Sequence, residues 1–261
     1  MTDFLALPRF ALPAAGRRAL RRIDALLRET GALASDPAGA VRLAGLAHTL
    51  AELQAGRAGG DPELAGVIAS FPQPREAAAL AAALIQSRRR QASAERFADY
   101  GALAQHLRRA ANPYGRLWLQ AAGVADPRAA AFSDGLCSAL ALVELLLDIP
   151  ADARAGALRL PLDELVRFRV TEAAVARGTP EPGWQALMTL QIERARRLLQ
   201  AGAPLAGRLR GRQRLAVRIA VIRAEVVLRK LHRARGDVFR VSAGVTAADW
   251  AYLAYRVAFG R

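Results

Sequence analysis

SDGLCSALALVELLLDIPADARAG, residues 133–156, is the stretch that most strongly indicates the fold. Its first half is apolar almost all round, which is typical of a helix buried in the core of a helical protein. Three acids follow at steps of four residues: Glu144, Asp148 and Asp152. On a continuous helix this spacing places all three on one face. The stretch therefore predicts a core helix whose end carries a row of carboxylates.

Pro150 lies between the last two acids and bears on whether that row is continuous. Proline removes a backbone donor and clashes with the preceding turn, at a cost of ~3 kcal/mol inside a helix. Two alternatives stay open: the helix is kinked at Pro150, or it ends near Asp148. Taken alone, the acids would also fit a solvated helix end that leads into a loop.

The chain has 261 residues, is 53% hydrophobic and carries a formal net charge of +15. Lys230 is the only lysine, so the positive charge comes almost wholly from arginine. Such a balance favours anionic partners, namely diphosphates, anionic lipid surfaces or nucleic acid. Aromatic residues make up only 6% and do not interleave with the arginines, so a platform for stacking bases is not expected. Nucleic acid is therefore not a predicted partner.

The single cysteine, Cys137, lies in the apolar run, which excludes a disulfide framework and fits a reducing compartment. The three histidines are scattered, which disfavours a histidine-based metal site. The N-terminal stretch has an early acid and prolines in its short apolar run, so no targeting peptide is expected. No uncharged stretch of about 18 apolar residues occurs. We therefore expect a cytoplasmic protein, with peripheral contact to a membrane as an open alternative.

Alanine and leucine dominate, β-branched runs are rare, and a 3.6-residue periodicity recurs, which together indicate an all-α protein. The Gly- and Pro-rich breaks are too short to be interdomain linkers, so we expect a single domain over residues 1–261. The predicted helices cover about 14–30, 37–54, 62–70, 75–92, 98–110, 113–122, 128–148, 183–201, 208–235 and 246–258.

A long basic amphipathic helix is predicted within residues 208–237, RLRGRQRLAVRIAVIRAEVVLRKLHRARGD. One interpretation is a helix that packs on the core and exposes its arginines to solvent. The other is a helix that walls an apolar tunnel or rests on a membrane with its arginines toward the headgroups. The pattern alone does not separate the two.

Four segments, in order, resemble the squalene/phytoene synthase family. Residues 133–168 resemble its second aspartate-rich motif, in which Asp-x-x-x-Asp ends a helix and a Gly-Arg pair, a YLP-like turn and a short acidic helix follow. RRAANPYGRLWL, residues 108–119, looks like the R-S-A-N-P-V-G-R-L segment, especially in the bacterial hydroxysqualene-synthase branch. Residues 12–29 are similar to the helix before the first aspartate motif, and residues 184–219 to the L..Q..RAR..Y..G.PL segment.

The resemblance covers about residues 8–258 and implies an isoprenoid synthase-type helical bundle. A central apolar cavity is expected between the helices at 14–30 and 128–148. The implied activity joins two prenyl diphosphates after magnesium ions, held by two facing acid clusters, neutralise the leaving diphosphate. The first cluster should read Asp-Asp-x-x-Asp, but Gly31, Ala32 and Ser35 stand at its acid positions, and Asp36 lies one residue away.

Further positions depart from the family pattern. Aspartates are replaced by Gln86 and Gln91, and an arginine by Ala157. Two family tyrosines are replaced by Asp24 and Arg159, and a family asparagine is replaced by Glu144. The resemblance leaves as predicted metal ligands Glu144, Asp148 and Asp152. The predicted substrate-binding residues are Arg28 and Arg96, which match arginines near the diphosphate, and Tyr114, which is expected to line the core or tunnel. A helix break is expected at Asn112–Pro113.

These losses predict a degenerate family member that binds a prenyl diphosphate, an apolar isoprenoid or a protein partner without efficient condensation. Magnesium binding is expected to be weak, and no other cofactor is expected. Three alternatives stay open. They are an active hydroxysqualene- or squalene-type synthase with fewer acids, a pseudoenzyme like the family's complex I assembly relatives, and a subunit that supports a paralogous synthase.

Overall fold

The computed structural model describes residues 7–33, 37–91, 96–179, 181–239 and 249, and its regular structure in these ranges is helical. A 3-10 turn at Arg9–Ala11 precedes the first α-helix. The α-helices are α1 Ala14–Leu33, α2 Pro37–Gln54, α3 Pro62–Ala69, α4 Pro74–Gln91, α5 Tyr100–Ala121, α6 Pro127–Arg154, α7 Leu162–Arg167, α8 Glu172–Ala176, α9 Trp184–Gly202, α10 Leu205–Arg208 and α11 Gly211–Arg233. The all-α prediction is confirmed.

One predicted break is wrong, and one predicted helix lies outside the described residues. The helix predicted over 208–235 is α11, which begins at Gly211 because Leu209 and Arg210 are extended. The helices predicted at 98–110 and 113–122 are one helix, α5. The helix predicted at 246–258 lies outside the described residues, apart from residue 249.

Aspartate caps begin three of these helices. The carboxylates of Asp61, Asp99 and Asp126 accept hydrogen bonds from backbone N–H groups in the first turns of α3, α5 and α6. Such caps satisfy donors that have no partner within the helix, and each contributes about 1 kcal/mol. In α3 and α6 a proline follows the cap, where its missing N–H costs no helical hydrogen bond.

The central element is α6, which packs against α5 and α9 along its length and also contacts α8, α10 and α11. Its apolar run from Leu136 to Leu146 is buried, as predicted for a core helix. Among the described helices, α6 has the length and hydropathy needed to cross a membrane, but 67% of its most apolar window is buried inside the protein. Gly202 of α9 lies directly against the backbone of Leu136, so the two helices approach closely.

The expected break at Asn112–Pro113 is wrong, because α5 continues through both residues to Ala121. Pro113 is buried, and the turns on either side of it bury Leu107 and Trp118 in the core. Ser138 of α6 donates a hydrogen bond to the Asn112 side chain at 2.9 Å, which ties the two helices together at this point. Burial of both halves outweighs the local cost of the proline.

At Pro150 the helix does not end, since α6 continues to Arg154. Ile149 and Ala153, on either side of the proline, are both buried, so packing holds the last turn in place. The side chain of Arg154 also donates to the Pro150 carbonyl at 2.9 Å. Asp148 and Asp152 therefore remain on one helical face, as the spacing of four predicts.

Candidate functional site

The chain reverses direction where α6 ends. Gly156 adopts a φ of 68°, a conformation that favours glycine, and the N–H of Ala157 donates to the Asp152 carbonyl at 2.8 Å. This turn leads the following residues back along the final turns of α6. Arg159 is thereby brought over the face that carries the acids.

Arg159 bridges the two aspartates of the second motif. Its Nε lies 2.7 Å from Asp152 Oδ2, and its Nη2 lies 3.4 Å from Asp148 Oδ2. All three side chains are between 20% and 26% exposed, so the pairs are partly shielded from water. Burial raises the pKa of Asp152, and the hydrogen bond from Arg159 only partly opposes that effect.

Glu144 lies one turn deeper and is only 4% exposed. Burial and then the charge of Asp148 raise its pKa to about 7, while the charges of Arg88 and Arg159 oppose this shift. Its Oε1 atom has no hydrogen-bond partner among the residues that the structure describes. Burial lowers the pKa of Arg88 on α4, and the charge of Glu144 partly offsets that effect.

The described residues do not form a metal centre. Within these ranges no group of three or more His, Cys, Asp or Glu side chains could hold a metal ion. The carboxylates of Asp148 and Asp152 face a guanidinium of the protein, and Glu144 is buried beneath them. The predicted set of three ligands therefore does not fit magnesium in this arrangement, and weak binding stays a prediction.

The opposite half of the predicted metal site would lie on α1. Gly31 and Ala32 are within this helix and have no side-chain oxygen, while Ser35 and Asp36 lie outside the described residues. Asp24, at the position of a family tyrosine, forms an ion pair with Arg9. None of the described α1 residues at the expected positions therefore supplies a free carboxylate to face α6.

The three predicted substrate-binding residues lie in different environments. Arg28 is exposed on α1. Arg96 precedes α5 and forms an ion pair with Glu172 of α8. Tyr114 is 8% exposed within α5, which agrees with a position in the core. Their role in binding a diphosphate or a prenyl chain stays a prediction.

A cavity of about 270 Å³ lies between α4 and α5. Arg96 and Arg109 line it, together with the buried Phe97–His106 ring pair, whose centroids are 4.9 Å apart. Gln86, at a position where the family has an aspartate, also faces this space. This cavity between α4 and α5, with its two arginines, was not predicted, and the apolar cavity predicted between α1 and α6 stays a prediction.

A buried polar cluster behind α7 was also missed by the sequence reasoning. Glu164 accepts a hydrogen bond from Gln191 of α9 and forms an ion pair with Arg194 of the same helix, each at 2.5 Å. The Arg194 guanidinium also lies 3.8 Å from the ring centroid of Tyr100. Backbone N–H groups of Leu162 and residue 163 donate to the carbonyls of residues 97 and 98. These contacts fix α7, and with it the segment that presents Arg159.

Glu144 predicts a pH-dependent stability. Its pKa rises from 4.5 to about 7 on folding, so between these values the unfolded chain has lost a proton that the folded chain still holds. Stability should therefore fall as the pH rises from about 4.5 through about 7, by up to ~3 kcal/mol. The free energy of unfolding, measured with urea across this pH range, should decrease with pH in the parent and decrease much less in Glu144→Gln.

The matched control is Glu193→Gln, which removes an exposed carboxylate from α9. This variant should leave the dependence of the free energy of unfolding on pH unchanged. The raised pKa of Asp152 contributes to the same pH dependence, so a residual dependence is expected in Glu144→Gln. If the free energy of unfolding changed with pH equally in the parent and in Glu144→Gln, the assignment of this pH dependence to Glu144 would be wrong.

Comparisons with known proteins agree on one family. The family model for squalene/phytoene synthase matches residues 5–249. A phytoene synthase of Arthrospira platensis is 28% identical over 258 residues, which cover 90% of this chain and 81% of the relative. A 15-cis-phytoene synthase of Synechococcus elongatus is 35% identical over 71 residues, covering 27% of this chain and 22% of that protein.

Two solved structures share the fold. A dehydrosqualene synthase in complex with ligand matches with a TM-score of 0.80 at 18% identity, over 98% of this chain and 91% of the other. The squalene synthase HpnC from Alicyclobacillus acidocaldarius matches with a TM-score of 0.76 at 23% identity, over 89% and 88%. The helical architecture is thus of the isoprenoid synthase type. Because the family model spans nearly the whole chain, this protein belongs to the squalene/phytoene synthase family of isoprenoid biosynthesis.

Proposed function

We propose that this protein is a degenerate family member that binds a prenyl diphosphate or a partner protein without efficient condensation. The observation that carries the proposal is the pairing of Arg159 with both Asp148 and Asp152. Arginine remains charged at any physiological pH, so its single positive charge always offsets part of the negative charge of these two carboxylates. A magnesium ion would have to displace the guanidinium before it could bind them.

A guanidinium held in this way does not replace the metal chemistry implied by the family. If Asp148 and Asp152 were free, they would be the residues to hold a divalent ion, which would supply neutralisation of the charge on the leaving diphosphate. Arg159 already donates to two carboxylates, and α1 supplies no acids at Gly31 and Ala32 for a second ion. The chain therefore has few groups with which to activate a diphosphate.

Binding of an anionic isoprenoid is supported by groups that do not depend on metal. Arg96 and Arg109 line the cavity between α4 and α5, and Arg28 is exposed on α1. Guanidinium groups recognise phosphate oxygens through paired hydrogen bonds. We propose that the partner is an anionic isoprenoid, or a paralogous synthase that exchanges such a ligand with this protein. Either partner is compatible with a location in the cytoplasm or at the surface of a membrane.

The second candidate is an active prenyl-diphosphate transferase. It is favoured by the match of the family model over residues 5–249 and by the retained Asp148 and Asp152. The two candidates differ in one measurable respect, which is whether the unmodified protein forms product.

Purified protein incubated with magnesium and farnesyl diphosphate, or with presqualene diphosphate, should give no squalene-type product above a protein-free blank. A non-hydrolysable farnesyl diphosphate analogue should still raise the melting temperature, and it should do so equally with magnesium or with a chelator. Arg96→Gln should reduce the shift, whereas Arg177→Gln, which changes an exposed arginine after α8, should not. Robust product from the unmodified protein would establish the active alternative.

A further inference from the structure

Several chain segments meet at one end of the bundle, where α5 ends. The Gln213 side chain near the start of α11 donates to the Ala122 carbonyl at 2.8 Å. Arg208 at the end of α10 lies 3.6 Å from Asp126, the cap of α6. A Cβ added to Gly16 would lie 2.7 Å from the Ala121 carbonyl, so the start of α1 packs here as well.

These segments, residues 13–18, 121–128 and 204–214, are strongly basic. They contain a single acid, Asp126, whose carboxylate is already shared between the Arg208 side chain and the backbone of Arg128. Except for Arg17, which is half-buried, the arginines in these segments are exposed. We call this surface the basic pole and define it by Arg17, Arg18, Arg128, Arg208, Arg210, Arg212 and Arg214.

The composition of the basic pole distinguishes between anionic partners. The three segments contain no aromatic residue, so they offer nothing on which a nucleic-acid base could stack. Arginine side chains bury their long apolar stems while their guanidinium groups pair with phosphate oxygens, which suits the headgroup region of an anionic bilayer.

We propose that the basic pole docks on the surface of an anionic bilayer. Arg210, Arg212 and Arg214 supply the main attraction to lipid phosphates. Each basic residue close to an anionic surface strengthens binding roughly fivefold, so three of them account for about a hundredfold. The proposal is independent of whether the protein turns over a prenyl diphosphate.

The test is flotation of the full chain with phosphatidylcholine vesicles that do or do not contain phosphatidylglycerol. The parent should float with the anionic vesicles alone, and less so at high salt. The triple variant Arg210→Glu, Arg212→Glu, Arg214→Glu should lose affinity by about a hundredfold or more. Acids in the first turn of α11 suit its helix dipole, so the variant should keep the parent's melting temperature.

The matched control is Arg108→Glu, Arg167→Glu, Arg177→Glu, which changes the net charge equally at exposed positions outside the basic pole. It should bind anionic vesicles nearly as well as the parent. Should the triple variant prove unfolded, Arg210→Gln, Arg212→Gln, Arg214→Gln is compared instead with Arg108→Gln, Arg167→Gln, Arg177→Gln, which changes the net charge equally. Equal losses in the two Glu triples, no binding to anionic vesicles, or tighter binding to a short DNA duplex through these arginines would each overturn the proposal.

Discussion

Gly202→Ala is expected to lower the free energy of unfolding by about 3 kcal/mol or more. A Cβ at this position would lie 2.3 Å from the backbone nitrogen of Leu136 and 2.5 Å from its Cα. Backbone atoms cannot rotate away as a side chain can, so α9 would have to separate from α6. That contact runs along the centre of the bundle, and its loss would disturb packing on both helices. Thermal unfolding should show a fall of roughly 10 °C.

The matched control is Gly45→Ala in α2. Gly45 is exposed, and a Cβ there would meet no atom within 4 Å. Alanine is the better helix former, so this variant should gain up to ~1 kcal/mol. Gly202 is the last residue of α9, where the intrinsic gain from alanine is smaller, and a net loss there measures the clash between α9 and α6. A Gly202→Ala protein as stable as the parent would show that the two helices lie farther apart than described here.

Much of the fold follows from local pattern, and the misses have a common cause. The apolar run before Glu144 predicted a core helix, and α6 is that helix. The prolines at 113 and 150 predicted breaks or kinks, because a proline inside an isolated helix is costly. In the protein both lie between turns that are buried in the core, and burial of several large side chains exceeds the local cost. Local rules do not include that burial.

The candidate site shows the same limit more sharply. The spacing of Asp148 and Asp152 predicted a shared face, and their common contact with one guanidinium agrees with it. The identity of that arginine depends on the chain reversal at Gly156. The reversal places Arg159, which is seven positions after Asp152 in the sequence, beside the Asp152 carboxylate. The contact between Glu164 and Gln191 joins residues 27 positions apart and required the packing of α7 on α9. In sequence, Arg159 was visible only as a departure from the family pattern.

Restoring both halves of the metal site is expected to produce squalene-type product where the parent gives none. The variant combines Arg159→Tyr with Gly31→Asp, Ala32→Asp and Ser35→Asp. The first change frees the carboxylates of Asp148 and Asp152, and the other three supply acids where the family motif has them. Loss of a single stabilising group at a developing charge costs about 10²–10³ in rate. Product should therefore rise about a hundredfold or more above the blank, as measured by chromatography of extracted lipids.

The matched control carries Arg159→Tyr with Gly31→Asn, Ala32→Asn and Ser35→Asn, which have the size of aspartate without its charge. This control should form no more product than the protein-free blank, because neutral amides bind magnesium more weakly than carboxylates do. Ala157 remains in place of the family arginine, so the restored rate should stay well below that of an intact site. Arg159→Tyr alone should increase magnesium affinity in calorimetry without forming product, since α1 still lacks acids. Product from the Asn control would show that Arg159 alone blocks turnover, and that the acids of the first motif are dispensable in this chain.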